Sequence, residues 1–97
     1  MALSIAIVTY NSARSIQPAL DSILRHLPED RPAAIVVVDN HSTDDTRERL
    51  HPYARRHRNL SLIHNRVNRG FGAAHNQAAS VADSAYHVIC NPDIRIS

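Results

Sequence analysis

Apolar runs rich in β-branched residues alternate with amphipathic segments along the whole chain. The clearest run is Ala34–Asp39, which has no polar residue before its last position, as expected of a strand covered on both faces. Similar runs occur at Leu3–Thr9, Leu60–His64 and Tyr86–Cys90. Because helix-like segments separate these runs, the pattern predicts parallel strands joined by right-handed crossovers. The predicted fold is an open, mostly parallel, Rossmann-like α/β sheet of order β-α-β-α-β-α-β.

Three segments between the runs have the apolar spacing and end signals of helices. Apolar residues recur at helical spacing over residues 16–27, which predicts one amphipathic helix. Ser42 with Asp45 resembles a capping box at the start of a second helix, and Pro52 is expected to kink or stop that helix. An alanine-rich third helix is expected over residues 73–82.

A chain of 97 residues has room for one small domain. No stretch approaches the ~20 apolar residues that a membrane-spanning helix requires, and the N-terminus lacks the pattern of a secretory signal. The single cysteine, Cys90, excludes an internal disulfide bond and a cysteine-cluster zinc site. These features favour a cytoplasmic protein. Because the chain stops shortly after the fourth run without a covering helix, we expect residues 1–97 to be one truncated subdomain of a longer protein.

The positive charge of the chain is concentrated in one block. Residues 47–69 contain seven of the 11 arginines and a single acid, Glu48. Such a block is typical of a surface that meets phosphate, an anionic membrane or nucleic acid, but it also fits a solvated helix face. The few aromatic residues are not interleaved with these arginines, which argues against single-stranded nucleic acid as a partner. Peripheral association with a membrane surface stays open.

Hydrogen-bonding side chains follow every predicted strand at its carboxyl end. In an open parallel sheet these ends meet at one edge, where ligands bind. The residues concerned are Thr9, Tyr10 and Asn11 after the first strand, Asp39 and Asn40 after the second, Asn65 after the third, and Asn91 and Asp93 after the fourth. Turn chemistry alone would also place some asparagine and aspartate there. The coincidence of four ends predicts a binding site at this edge.

Two acids at this edge could carry specific chemistry. Asp39 ends a strand too apolar to lie at the surface, and its carboxylate could accept hydrogen bonds from a ribose or a base N–H; capping the next helix is the structural alternative. Asp93 beside Pro92 could hold a hard divalent cation that also binds diphosphate oxygens, or simply form an Asx-turn. The chain has neither a G-x-G-x-x-G loop nor a P-loop, and its histidines lack the compact spacing of a metal site.

Four segments resemble glycosyltransferase family 2 in their order and spacing. They read IVTYNS at residues 7–12, VVVDNHSTD at 36–44, NRVNRGFGAAHN at 65–76 and CNPD at 90–93. The family consists of inverting enzymes with the GT-A fold. The N-P-D tripeptide in place of D-x-D is similar to the rhamnosyltransferase-like branch. The resemblance implies that this chain is the N-terminal, nucleotide-binding half of such an enzyme.

The resemblance also implies which residues hold the sugar-nucleotide donor. It assigns Thr9, Tyr10 and Asp39 to the base and ribose, and Asp93 to a Mg²⁺ or Mn²⁺ ion that bridges the diphosphate. The other implied donor-binding residues are Asn11, Asn68, Arg69, Gly70, Asn76 and Asn91. Asn91 stands where many relatives have aspartate, which would weaken metal binding. The catalytic base of the family lies beyond this motif, so none is carried over and we expect no sugar transfer by the chain alone.

The activity that this resemblance implies is transfer of a sugar to an acceptor hydroxyl with inversion. The donor would be a nucleoside-diphosphate sugar such as dTDP-rhamnose or a UDP-sugar. The acceptor would be a saccharide or a lipid-linked molecule of cell-wall or lipopolysaccharide synthesis, reached at the inner face of the plasma membrane. An unpaired sheet edge and apolar surface left by truncation would favour self-association. Two other hypotheses remain: a non-catalytic α/β binding or regulatory module, and an adaptor that uses the arginine block on an anionic surface.

Overall fold

A computed structural model describes residues 3–27 and 33–81 with their side chains, and residues 86–90 through their backbone. Its strands are β1 (Leu3–Thr9), β2 (Ala34–Asp39), β3 (Leu60–His64) and β4 (Tyr86–Cys90). Its helices are α1 (Ile16–His26), α2 (Thr46–Arg56) and α3 (Phe71–Val81). The predicted β-α-β-α-β-α-β order is therefore confirmed. Each of these described helices has 11 residues, and none is long and apolar enough to span a membrane.

The strands form one parallel sheet with the order β3-β2-β1-β4. The register places Thr9 at the end of β1 beside Asp39 at the end of β2, and Asp39 beside His64 at the end of β3. Parallel pairing brings these carboxyl ends to a common edge, where the loops after the three strands begin. The prediction of an open, parallel α/β sheet is confirmed, and the ends of β1, β2 and β3 meet as expected, while Asn91 and Asp93 after β4 lie outside the described residues.

The two central strands are buried on both faces because helices cover each side of the sheet. On one face, alternate residues of β1 and β2 pack against α1 and α2; this cluster includes Ile5, Ile7, Ile16, Leu20, Ile23, Ile35, Val37, Leu50 and Tyr53. On the other face, the intervening strand residues pack against α3; this cluster is Ala6, Val8, Val36, Val38, Ala74 and Ala78. Burying a large aliphatic side chain contributes about 1.5–3 kcal/mol, so both faces favour apolar residues. This explains why β2 is a continuous apolar run.

Of the two effects predicted for Pro52, a kink or a stop of the helix, the structure shows that the stop is wrong. The helix continues past Pro52 to Arg56, although proline removes a backbone hydrogen bond in a helix interior. Leu50 and Tyr53, on either side of the proline, are buried in the core and hold the second half of the helix against the sheet. Their burial offsets the cost of the proline.

The predicted capping box of α2 does not form either. The residue before the helix is Asp45, and its side chain makes no cap hydrogen bond. The Ser42 hydroxyl donates instead to the Asp39 carboxylate, which ends the preceding strand. The N–H of Thr46 is satisfied by the carboxylate of Asp44 at 3.0 Å. The carboxylate of Asp39 therefore binds the Ser42 hydroxyl, and the carboxylate of Asp44 takes the place of the predicted cap.

Candidate functional site

The carboxylate of Asp39 is fully buried at the end of β2 and is surrounded by donors. The Thr9 hydroxyl donates to Asp39 Oδ1 at 2.7 Å. Ser42 donates through its hydroxyl to Oδ1 at 2.5 Å and through its backbone N–H to Oδ2 at 3.1 Å. Arg47 Nε lies 3.9 Å from Oδ2. A buried charge requires such partners, so Asp39 joins the ends of β1 and β2 to the loop that leads into α2.

Arg47 also contacts the end of β3. Its Nε donates to His64 Nδ1 at 3.3 Å, and the His64 ring centre lies 5.2 Å from that of His51 on α2. Burial, the charge of Arg47 and the nearby His51 lower the pKa of His64, against an opposing effect of Asp39. A neutral imidazole can accept a hydrogen bond from arginine, whereas a protonated one cannot. The ends of β2 and β3 are thereby linked through one guanidinium.

Asn11 fastens the loop after β1 to the loop after β2. Its Oδ1 accepts hydrogen bonds from the backbone of Thr43 at 2.8 Å and of Asp44 at 3.2 Å, while its own N–H donates to Ser42 Oγ at 3.0 Å. Its φ of 49° lies in the left-handed region, which asparagine tolerates better than most residues. The amide oxygen of this predicted donor-binding residue is therefore occupied within the protein.

A second connection between the same loops runs through Thr46, the first residue of α2. Its hydroxyl accepts from the Ser12 N–H at 2.9 Å and donates to Asp44 Oδ1 at 2.5 Å. Asp44 Oδ2 accepts from the Ala13 N–H at 3.3 Å. Although burial opposes it, hydrogen bonds from Thr46 and Ala13 hold the pKa of Asp44 below its ordinary value. An ionised Asp44 therefore fixes the approach to α1 against the start of α2.

Asn40 anchors the loop between β3 and α3. It is buried, its Oδ1 accepts from the Arg69 N–H at 2.8 Å and from Asn65 Nδ2 at 3.2 Å, and its Nδ2 donates to the Gly70 carbonyl at 3.1 Å. Gly70 has a φ of 82°, a conformation that favours glycine. Asn68 Oδ1 accepts from the Gly70 N–H at 2.8 Å, which tightens the turn. The loop is therefore held rigidly over the end of β2.

A cavity of about 370 Å³ opens between the loop after β1 and the loop before α3. Tyr10, Asn40, Asn68, Gly70 and Phe71 line it, together with Val8 and Ser12. The two aromatic side chains are 50% and 57% exposed, so their rings are free to contact a ligand. A pocket with aromatic walls and a few fixed amide and backbone groups suits a planar, hydrogen-bonding ligand such as a heterocyclic base.

The structure brings only some of the predicted site residues to this cavity. Tyr10, Asn68 and Gly70 line it. Thr9 and Asp39 are fully buried and bond to each other at the strand ends. The remaining described residues of the prediction are exposed and outside the lining: Asn11, Arg69 and Asn76. Asn91 and Asp93 lie outside the described residues, and the donor-binding role of every residue in this set stays a prediction.

The donor-binding set that the resemblance implies did not include several residues that the structure brings there. Asn40 and Phe71 line the cavity, and Ser42, Thr46 and Arg47 organise its surroundings. A signal existed for Asn40, because it directly follows the acid that ends β2. Thr46 bonds to Ser12, 34 positions away, and Arg47 lies beside the buried Asp39, so only the folded chain shows this arrangement.

The described residues hold no metal centre of their own. They contain no group of three or more His, Cys, Asp or Glu side chains that could hold an ion. Both carboxylate oxygens of Asp39 already accept hydrogen bonds, which leaves it poorly suited as a ligand. A hard cation needs several oxygen ligands, and the predicted one, Asp93, lies outside this part of the chain.

The sheet order and the cleft at its carboxyl edge define the class of parallel α/β proteins that bind ligands at this edge. Within that class, the chain belongs to glycosyl transferase family 2, whose family model matches residues 4–97. It is also 33% identical to the poly(ribitol-phosphate) beta-glucosyltransferase of Bacillus spizizenii over 94 residues. These aligned residues make up 96% of this chain and 15% of that protein.

Two solved structures are similar to this chain and extend well beyond it. The structure of S. aureus TarS 1-349 matches with a TM-score of 0.87 and 29% identity, over 100% of this chain and 29% of that chain. TarS 1-349 has also been solved in complex with UDP and with UDP-GlcNAc. The mannosyltransferase PcManGT from Pyrobaculum calidifontis, in complex with GDP-Man and Mn²⁺, matches with a TM-score of 0.85 and 32% identity, over 96% of this chain and 28% of that chain. These matches confirm the GT-A fold, and the chain spans less than a third of each of these proteins.

Proposed function

We propose that this chain is the donor-binding part of an enzyme that transfers a sugar from a nucleoside-diphosphate donor to an acceptor hydroxyl with inversion. The observation that carries the proposal is the cavity lined by Tyr10, Asn68 and Gly70 at the carboxyl edge of the sheet. Membership of glycosyl transferase family 2 supports the reaction class. The complexes of TarS with UDP and of PcManGT with GDP-Man support a nucleotide as the ligand.

In this proposal the base of the nucleotide enters between Tyr10 and Phe71. Both residues are about half exposed, and the Phe71 ring is held edge-on by the His75 ring at 4.2 Å, so each ring has exposed surface on which a base could stack. The Gly70 backbone and Asn68 Oδ1 bond within the protein, so the side-chain N–H groups of Asn68 would supply the polar contact that orients the base. Arg69, next to them and exposed, would meet the diphosphate. Thr9 and Asp39 support this site from beneath through their mutual hydrogen bond.

A divalent cation is part of the same proposal. PcManGT was solved with Mn²⁺, and Asp93 is the residue of this chain that we propose as the ligand, with Asn91 nearby in sequence. Mg²⁺ or Mn²⁺ supplies charge neutralisation on the leaving nucleoside diphosphate when it is bound. The ion would depend on diphosphate oxygens for the rest of its ligands, because the described residues offer no cluster of their own.

The specific donor, acceptor and location are further parts of the proposal. A UDP-sugar is favoured because TarS 1-349 was solved with UDP and UDP-GlcNAc; dTDP-rhamnose is the alternative. A saccharide or lipid-linked acceptor at the cytoplasmic face of the membrane fits the arginine block of residues 47–69.

The two outer strands of the described sheet, β3 and β4, support self-association of the chain. Light scattering would test this, and a clean monomer would contradict it.

Calorimetric titration of the 97-residue chain with UDP in the presence of Mg²⁺ tests the proposed function. Tyr10→Ala should weaken binding about tenfold, because a stacked base contributes about 1–3 kcal/mol. Val81→Ala is the matched control, since Val81 is similarly exposed but lies at the far end of α3. A folded chain that binds none of UDP, dTDP or GDP would overturn the proposal and favour a non-catalytic module.

A further inference from the structure

A second and larger cleft lies between α1 and α2, and it shares no lining residue with the cavity at the sheet edge. Its volume is about 590 Å³, and three arginines line it, Arg14, Arg25 and Arg49. Of its described lining residues, Asp21 is the acid, and Asp21 and the amide of Gln17 lie between the arginines. This cleft, here called the arginine groove, has no part in the proposed donor site.

The arginines of the groove are available to a ligand. Among the described residues, Arg14 and Arg25 make no ion pair or side-chain hydrogen bond, and both are exposed. Arg49 is held in place by Asp45, which accepts from Nε at 3.0 Å, and by Gln17, which accepts from Nη1 at 3.1 Å. Those bonds leave further guanidinium N–H groups of Arg49 unused.

The groove is elongated, and its charged and polar side chains follow one another along α1. Gln17, Asp21 and Arg25 are spaced four residues apart on α1, so they lie on one face and span roughly 12 Å. Arg14 precedes the helix at one end, and Arg25 lies at the other. Between these two arginines lie the Gln17 amide, which Arg49 of α2 contacts, and the Asp21 carboxylate, whose Oδ1 accepts from the Tyr53 hydroxyl at 2.7 Å.

We propose that the arginine groove binds a chain of phosphodiester-linked polyol units. Guanidinium groups bind phosphate oxygens through paired hydrogen bonds, whereas carboxylate and amide oxygens accept hydrogen bonds from hydroxyl groups. An isolated phosphate would use only one end of the groove and would be repelled by Asp21. A ligand in which phosphates alternate with polyhydroxyl units meets both kinds of group in turn. Reading this ligand as the acceptor of sugar transfer rests on the proposed function; the binding itself does not.

The test is titration of the 97-residue chain with a defined glycerol-phosphate oligomer at low salt, with a neutral oligosaccharide of the same length in parallel. We expect saturable binding of the oligomer and none of the neutral sugar. The double variant Arg14→Gln/Arg25→Gln should weaken binding at least about tenfold, because two charge-assisted contacts are lost. The matched control Arg55→Gln/Arg58→Gln removes the same charge from exposed positions of the arginine block outside the groove. We assign that part of the block to an anionic membrane surface and not to the oligomer, so the affinity for the oligomer should stay within about twofold.

Several results would overturn this assignment. Equal weakening by the two double variants would mean unspecific attraction, and equal affinity for inorganic phosphate would mean a simple anion site. Competition by saturating UDP would place the oligomer in the donor cavity instead. Binding only to vesicles of anionic phospholipid would favour a membrane surface. If the oligomer binds as expected but UDP does not, the groove stands and the proposed donor function fails, so the two proposals fail separately.

Discussion

At the scale of single residues, one buried carboxylate holds the site together. Asp39 accepts from the Thr9 hydroxyl and from two groups of Ser42, and Arg47 lies 3.9 Å away. Water does not reach this fully buried carboxylate, so Asp39 and its donors must satisfy one another's hydrogen bonds. The geometry of the sheet edge is therefore sensitive to this one side chain.

Replacing Asp39 by alanine should lower the free energy of unfolding by about 2–4 kcal/mol, because the hydroxyls of Thr9 and Ser42 lose their acceptor in a buried place. Urea unfolding of the variant and the parent chain measures the difference. Asp45→Ala is the control, since its exposed pair with Arg49 should contribute less than about 1 kcal/mol. Similar small losses for the two variants would show that Asp39 does not organise the edge.

Tyr53 gives the stability a dependence on high pH. Burial and the hydrogen bond and charge of Asp21 raise its pKa from 10.0 to about 12. The unfolded chain then loses this proton before the folded chain does, so the stabilisation is complete below pH 10 and declines as the pH rises toward 12. Because of this group, the free energy of unfolding should be about 1 kcal/mol lower at pH 11 than at pH 9, and Tyr53→Phe should remove that difference. An unchanged slope in the variant would contradict this assignment.

At the scale of elements, α2 and the loop before α3 are held by contacts beyond their own sequence. Pro52 interrupts the hydrogen bonds of α2, yet Leu50 and Tyr53 keep the helix on the sheet through Arg56. The loop before α3 takes its shape from Asn40, which bonds to the backbone on both sides of the Arg69–Gly70 peptide. Both elements are therefore local weaknesses that tertiary contacts compensate.

Pro52→Ala should stabilise the chain by about 1–2 kcal/mol, because it restores a backbone hydrogen bond inside α2 and removes the clash of the ring. Pro18→Ala is the matched control. Pro18 is in the first turn of α1, where its missing N–H has no helical partner, so the change should stay within about 0.5 kcal/mol. Thermal unfolding compares both variants, and a destabilised Pro52→Ala chain would mean that the proline is required there.

Gly70 and Gly72 form a second matched pair. A Cβ added at either glycine meets no atom within 4 Å, so only the backbone distinguishes them. Gly70→Ala should cost about 1 kcal/mol because its φ of 82° disfavours any side chain. Gly72→Ala, inside α3, should instead stabilise by about 0.5–1 kcal/mol. Equal effects in urea unfolding would argue against the turn conformation at Gly70.

The sequence alone predicted the elements better than the contacts between them. β2 could be predicted because a buried strand must be apolar on both faces, and the polar edge followed from parallel pairing. The end of α2 could not, because Leu50 and Tyr53 stabilise it through the core. The capping box does not form because the Ser42 hydroxyl donates to Asp39, a competing acceptor three positions away. The contact of Ser12 with Thr46 spans 34 positions, and a contact of that length leaves no local pattern in the sequence.

At the scale of the whole molecule, one sheet with helices on both faces separates two different surfaces. The cavity at the carboxyl edge is bounded by the loops after β1 and before α3, whereas the arginine groove lies between α1 and α2. The first carries aromatic rings and amides, and the second carries guanidinium groups. We therefore propose a nucleotide as the ligand of the edge cavity and a phosphodiester chain as the ligand of the arginine groove.

Amide NMR titration of the ¹⁵N-labelled chain with UDP and Mg²⁺ tests the central claim most directly. We expect dispersed spectra in which the largest shifts fall on Tyr10, Asn68 and Gly70, while Arg25 and Arg49 in the groove stay unchanged. Titrations with dTDP and GDP would then rank the bases. Dispersed spectra that respond to none of the three nucleotides, or that respond only in the groove, would contradict a donor site at the edge of the sheet.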